Sequence, residues 1–145
     1  MKYSTKLSDA VHVLALIALD DLGDLSSKTL AVSIATNPAF IRKLMMMLRK
    51  AGLISSVKGH ALPALTRSPA EITLLDIYRA VEGEKPLLHL DTHTNPECGV
   101  GVDIQLALQQ YYDQVQVEAE REMQHITLAD VLARYDRLHK ERFSE

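Results

Sequence analysis

Apolar residues recur along this chain at the three-to-four-residue spacing of helices far more often than at the alternating spacing of strands. Leu7 to Leu22 is rich in Ala and Leu, places Val11, Leu14, Ala18 and Leu22 on one face, and is closed by Gly23-Asp24. Ser26 or Ser27 then caps a short helix reaching about Ala35. Thr36-Asn37-Pro38 breaks that helix and starts the next. Asn37 can cap it, and Pro38 suits the first helical position, where its missing N–H costs nothing. Ile41, Leu44, Met45 and Leu48 follow at i, i+3, i+4 and i+7 and predict a buried stripe, ended by Ala51-Gly52 with a left-handed cap.

Two short β-capable stretches, Leu53 to Val57 and Leu62 to Thr66, flank Lys58-Gly59-His60 and read as a hairpin, which Ser68-Pro69 stops. A helix from Thr73 to Val81 begins after the turn at Pro69-Ala70-Glu71 and ends at Glu82-Gly83. Glu84 to Gly101, with Pro86, Pro96, Gly99 and Gly101, reads as a loop. Val102 to His125 predicts a helix of about 24 residues, roughly 36 Å long. A last helix runs from Leu128 to about His139, capped by Thr127. No internal repeat or low-complexity tract is expected. Short helix, tight turn, second helix and hairpin make a winged helix-turn-helix. The expected fold class is mainly α with a small β-hairpin wing and a long C-terminal dimerisation helix. Residues 1–83 are read as the DNA-binding domain, 84–101 as a loop and effector region, and 102–145 as the dimerisation helices.

Charge sharpens this picture. From Leu25 to Ala70 there are seven basic residues and no acid, whereas from Gly83 onward six basic residues face twelve acidic ones. Forty-six residues without a carboxylate call for an anionic partner. With the apolar stripe of the second helix inward, Ala39, Arg42, Lys43, Met46, Arg49 and Lys50 face outward. Small and basic residues near a helix N-terminus are what entry into the DNA major groove requires. The candidate DNA contacts are Lys28, Asn37, Ala39, Arg42 and Lys43, joined by Lys58 and His60 at the hairpin tip, where a wing meets the backbone or minor groove. Arg49 and Lys50 also complement the helix dipole, and the triplet Met45-Met46-Met47 reads as core filler.

The 145 residues, 47% apolar, fit one compact domain or one domain with a small appendage. The longest apolar run, around Val13 to Leu19, is half the length of a membrane span, so no membrane partner is expected. The start of the chain passes into that run without a small-residue cleavage site, and the expected address is the cytoplasm.

Three ordered segments carry a resemblance: Leu48 to Gly59, Glu71 to Gly83, and Ile126-Thr127-Leu128-Ala129-Asp130-Val131-Leu132. With these the chain resembles the Rrf2 family of bacterial winged-helix transcription regulators, which includes iron–sulfur cluster regulators and a repressor of cysteine metabolism. The resemblance implies a homodimer, most simply a repressor, on palindromic operator DNA, with activity tied to redox or metabolic state. Two departures stand out. Ala61-Leu62-Pro63 replaces the family's Gly-Gly-Tyr wing tip, which leaves open a winged-helix protein–protein module without DNA binding. The cluster-binding members use three cysteines before the long helix, and here Cys98 stands alone. One thiolate does not hold a cluster that takes three or four ligands from a chain, so no cofactor is expected.

Along the long helix Ile104, Leu108, Tyr111, Val115, Ala119, Met123 and Ile126 follow a near-heptad spacing, which predicts a dimer seam with a second copy. No catalysis is expected: Cys98 with His89 or His93 lacks an orienting group, a phosphate cradle and a helix N-terminus directly behind it. No metal site is expected either, because His89, His93 and Cys98 lack a fourth ligand. Cys98 is expected to be a buried, inert thiol packing its loop. It is also the candidate sensor, as the loop's one redox-active group, with a small-molecule effector as the other regulatory reading.

Overall fold

A computed structural model describes residues 3–55 and 62–144. The order of elements is α1 (Lys6–Leu19), α2 (Ser27–Ile34), α3 (Pro38–Lys50), β1 (Ile54–Ser55), β2 (Ala64–Leu65), a single 3₁₀ turn (Pro69–Glu71), α4 (Leu74–Glu82), α5 (Gly99–His125) and α6 (Leu128–Phe143). The two strands pair antiparallel, Ile54 opposite Leu65 and Ser55 opposite Ala64. This is the expected mainly α winged helix-turn-helix followed by a long helix.

One apolar core joins the N-terminal helices. Ala10, Val13, Leu14 and Ile17 of α1 meet Leu30 and Ala31 of α2 and Ile41, Leu44, Met45 and Leu48 of α3. Ile72, Ile77 and Val81 close it from the α4 side, and Leu128 of α6 is buried in the same cluster. All four residues of the expected α3 stripe are therefore in place. Asn37 caps α3 by accepting from the Phe40 N–H at 2.8 Å, and Gly52 leaves the helix at φ 78°.

The first helix departs from its sequence reading. It stops at Leu19, with Asp20 in the left-handed region at φ 51° and its N–H on the Leu16 carbonyl. Its inward face is Ala10, Val13, Leu14 and Ile17, while Val11 and Ala18 are half-buried and Leu22 is exposed. The segment is apolar nearly all round, so a face rotated by one position fits the periodicity equally well. Asp20 and Asp21 are the true stop, since carboxylates are unfavourable at a helix C-terminus.

Within the described residues the strands leave out Leu53, Leu62, Pro63 and Thr66 of the expected stretches, and Val57 lies outside those residues. Buried Pro63 has no N–H to give the ladder, although the Thr66 N–H still reaches the Leu53 carbonyl at 3.1 Å. The expected tip residues Lys58 and His60 lie outside the described residues. Helix α5 begins three residues earlier than its periodicity suggested, because a turn from the Cys98 N–H to the Asn95 carbonyl leads directly into it. With 27 residues it is about 40 Å long. Helix α6 extends past His139, which stacks between Tyr135 and Phe143 at ring separations of 5.5 and 4.7 Å, an i,i+4 ladder that carries the helix on.

Two short helix-start segments match each other. Ile72-Thr73-Leu74-Leu75-Asp76 and Ile126-Thr127-Leu128-Ala129-Asp130 share one pattern, and the fold sets them face to face. The Leu74 N–H donates to the Ile126 carbonyl at 2.7 Å, and the Leu128 N–H donates to the Ile72 carbonyl at 2.8 Å. On each side the threonine hydroxyl accepts from the aspartate N–H and the aspartate carboxylate accepts from the threonine N–H, a complete capping box. Helices α4 and α6 thus start from one shared clasp. Thr127→Ala is expected to lower stability by about 1 kcal/mol and the thermal midpoint by about 2–4 °C. Circular dichroism melts of Thr127→Ala and Thr73→Ala check this, and two unchanged midpoints would remove the clasp from the energetics.

Candidate nucleic-acid interface

Helix α3 owes its outward face to its inward one. With Ile41, Leu44, Met45 and Leu48 fixed in the core, Ala39, Arg42, Lys43, Met46, Arg49 and Lys50 are all exposed. At about 100° per residue, Ala39, Lys43, Met46 and Lys50 form the outermost row, and Arg42 and Arg49 flank it on one side. Of the two expectations for Met46, the outward position holds and the core-filler reading fails. Met45 is buried and Met47 half-buried, as core filler should be, but Met46 is 59% exposed. The triplet spans more than half a helical turn, so it cannot all face inward.

Helix α2 crosses just before this row. Ser26 caps it by accepting from the Thr29 N–H, and Lys28 is exposed in its first turn. Asp24 accepts from the Thr29 hydroxyl at 2.6 Å and from the Ser26 N–H at 2.9 Å. The Thr29 hydroxyl first, then the Ser26 N–H and hydroxyl, hold its carboxyl below the usual range. The turn into α3 passes through Ala35, left-handed at φ 61°, where the Thr36 N–H returns to the Ala31 carbonyl at 2.9 Å.

The electrostatics follow from who is paired. Arg67 reaches Asp76 at 3.9 Å. Among the described residues Lys28, Arg42, Lys43, Arg49 and Lys50 form no ion pair, so the helix-turn-helix presents five free cations. Of the sequence candidates, Lys28, Asn37, Ala39, Arg42 and Lys43 are each exposed, Lys28 on α2 and the others at the start of α3. The Asn37 side-chain oxygen is committed to its cap, which leaves the amide as its free donor.

Helix α5 turns a polar side toward its own domain. The Gln116 amide donates to the Tyr78 hydroxyl at 3.2 Å and accepts from the Leu87 N–H at 2.9 Å. Arg79 pairs with Glu120 at 3.2 Å, and Gln105 accepts from the Asp91 N–H at 3.2 Å. Of the candidate seam, Ile104, Tyr111 and Val115 are exposed, and Leu108, Ala119 and Met123 are half-buried at the edge of the domain contact. Leu106 and Val117, on the opposite side, are exposed as well and have no place in the heptad reading.

Cys98 is exposed rather than buried, and the N-terminus of α5 lies directly behind it, both contrary to expectation. Gly99 and Gly101 concealed the start of this helix, since both are poor helix formers that a first turn tolerates. No hydrogen bond joins Cys98 to His89 or His93, and no group of three His, Cys, Asp or Glu side chains suited to a metal occurs, among the described residues. Nor is any helix among them long and apolar enough to cross a membrane.

Comparison with known proteins places this geometry. Residues 3–134 match the model of the Rrf2 family, described as iron-dependent transcriptional regulators. A Bacillus subtilis protein named as an HTH-type transcriptional regulator, YwnA, is 36% identical over 129 residues, covering 89% of this chain and 96% of its own. A crystal structure described as a DNA-binding protein shares 35% identity at a TM-score of 0.70, covering 88% of this chain and 98% of its own. IscR of T. potens superposes at a TM-score of 0.66 with 26% identity over 93% of this chain and 88% of its own.

Proposed function

This chain belongs to the Rrf2 family of transcriptional regulators, and from that premise we propose that it acts in the cytoplasm as a homodimeric repressor gripping palindromic operator DNA with paired α3 helices. The observation that carries this reading is that, among the described residues, five exposed cations of α2 and α3 form no ion pair. Lys43 lies in the outermost row, and Arg42 flanks it with a side chain long enough to reach a base edge. The uncovered Ile104, Tyr111 and Val115 supply the seam for the second copy. Cys98 is exposed at the start of α5, but no hydrogen bond pairs it with His89 or His93 among the described residues, and membership of a regulator family supports a non-catalytic role.

Selection from a random duplex library at low salt defines the operator. On that duplex Arg42→Ala is expected to cost about 1–3 kcal/mol and to relax preference at one base pair, as loss of a bidentate base contact does. Lys43→Ala is expected to weaken all sequences more evenly. Failure of the wild type to enrich any duplex would leave the protein-binding module as the better reading, and an unchanged affinity of Arg42→Ala would displace Arg42 from the groove.

Iron enters with the family description, but the residues here do not fit a cluster. The chain holds one cysteine, and clusters are held by several thiolates or histidines. We therefore read it as a member whose DNA binding is set without an iron–sulfur cluster. Metal analysis of protein purified without oxygen is expected to find no stoichiometric iron, and one or more irons per chain would overturn this.

A further inference from the structure

We infer that Met46 is a base-reading residue, contacting the 5-methyl group of a thymine in each operator half-site. This deepens the DNA-binding reading of α3 and rests on it. Met46 is the one long apolar side chain in the outermost row of α3, 59% exposed, with Lys43 one turn before it and Lys50 one turn after it. Its neighbours in the triplet show that the exposure comes from helix register: Met45 and Met47 are drawn inward while Met46 projects from the basic face. A thioether ringed by cations has no function in holding the fold together. On a surface built to meet DNA it has an obvious counterpart, because the thymine methyl is the one apolar group that the major groove presents. Methionine suits it, being unbranched, polarizable and able to adapt its rotamer to the groove.

Spacing supports the assignment. Ala39 and Met46 share one row seven residues apart, about 10.5 Å along the axis. That distance matches about three base-pair steps at 3.4 Å. The row therefore sets a small apolar, a cationic and a long apolar side chain over about three base-pair steps. Charge alone would grip phosphates without distinguishing sequences; the methionine adds a contact that only one base satisfies.

The test uses the full-length protein and the duplex selected by the wild type. Each thymine of a half-site is replaced in turn by deoxyuridine, which removes the methyl group and preserves pairing. For the wild type, one position per half-site is expected to lose roughly fourfold in affinity, the value of one buried methyl group. Met46→Ala is expected to weaken binding to the thymine duplex and to bind the thymine and uracil duplexes equally. Met46→Leu, which keeps an apolar tip, is expected to restore the preference. Equal sensitivity to uracil in the wild type and Met46→Ala, or no sensitive position at all, would overturn the assignment of Met46 alone, provided Lys43→Ala still weakens binding. If the wild type selects no duplex, the DNA reading falls and this inference falls with it.

Discussion

Replacing Ile104 and Val115 together by glutamate is expected to yield a folded monomer that no longer holds operator DNA. Both residues are about half exposed, 52% and 48%, and the inward side of α5 is occupied by Gln105, Gln116 and Glu120. The substitutions therefore leave the chain's own core untouched. In a two-fold dimer each glutamate is buried twice, opposite its own copy or an apolar neighbour. Burying an unpaired carboxylate costs several kcal/mol even after relaxation, and every 1.4 kcal/mol is about tenfold in the dissociation constant. Sedimentation at micromolar concentration should show one chain per particle with an unchanged far-ultraviolet spectrum. Operator binding should fall with it, because a single α3 reads only one half-site. A dimer of normal affinity would move the seam elsewhere, with Leu106 and Val117 on the opposite side of α5 as the next apolar surface.

A second large effect is expected from salt. Five cations of the helix-turn-helix form no ion pair among the described residues. If three of them meet phosphates in each protomer, a dimer neutralises about six, and the logarithm of affinity should fall with that of salt at a slope near −5. Between 50 and 200 mM salt this is a loss of about a thousandfold. Neutralising Lys28 or Lys50 singly should flatten the slope by about two, one phosphate in each half of the dimer. A flat salt response, with affinity retained, would mean that these cations do not face the duplex.

The reading domain was legible because its signals agree with one another. Asn37-Pro38 suits a helix start, the α3 stripe has a single consistent face, and Gly52 supplies a left-handed exit. The first helix was misread where that agreement fails: Lys6 to Leu19 is apolar on more than one side, and periodicity alone leaves its rotation open. At α5 two glycines hid the opening turn, and Cys98 was assigned to a loop it in fact terminates. The heptad pattern of α5 found the apolar stripe but did not register that half of it borders the chain's own domain. That boundary is set by Gln105, Gln116 and Glu120, polar residues that carry no periodic signal. The helical wheel already sets Met46 on the outward face, while the composition of the triplet reads as filler; the exposed side chain sides with the wheel. The paired Ile-Thr-Leu-x-Asp segments escaped notice because five residues, with 49 between them, have little statistical weight until the fold sets them together.

That shared start of α4 and α6 also works as a pivot. Ile126 ends α5, so the C-terminal tip of the long helix is pinned by backbone hydrogen bonds to the segment that opens α4. Away from that joint the helix is tied to its domain, among the described residues, through side chains: Glu120 on Arg79 and Gln116 on Tyr78 and the Leu87 N–H in its C-terminal half, and Gln105 on the Asp91 N–H toward its N-terminal tip. A rod fastened firmly at one end and loosely along its length is a lever. Over about 40 Å, a tilt of about five degrees at the pivot sweeps the far tip by about 3.5 Å, close to the rise of one base pair. In the proposed dimer, a small rotation at each pivot would change the gap between the two reading helices by about one base-pair step, so the Thr73–Thr127 joint would bear on operator spacing as well as the protein–DNA surface.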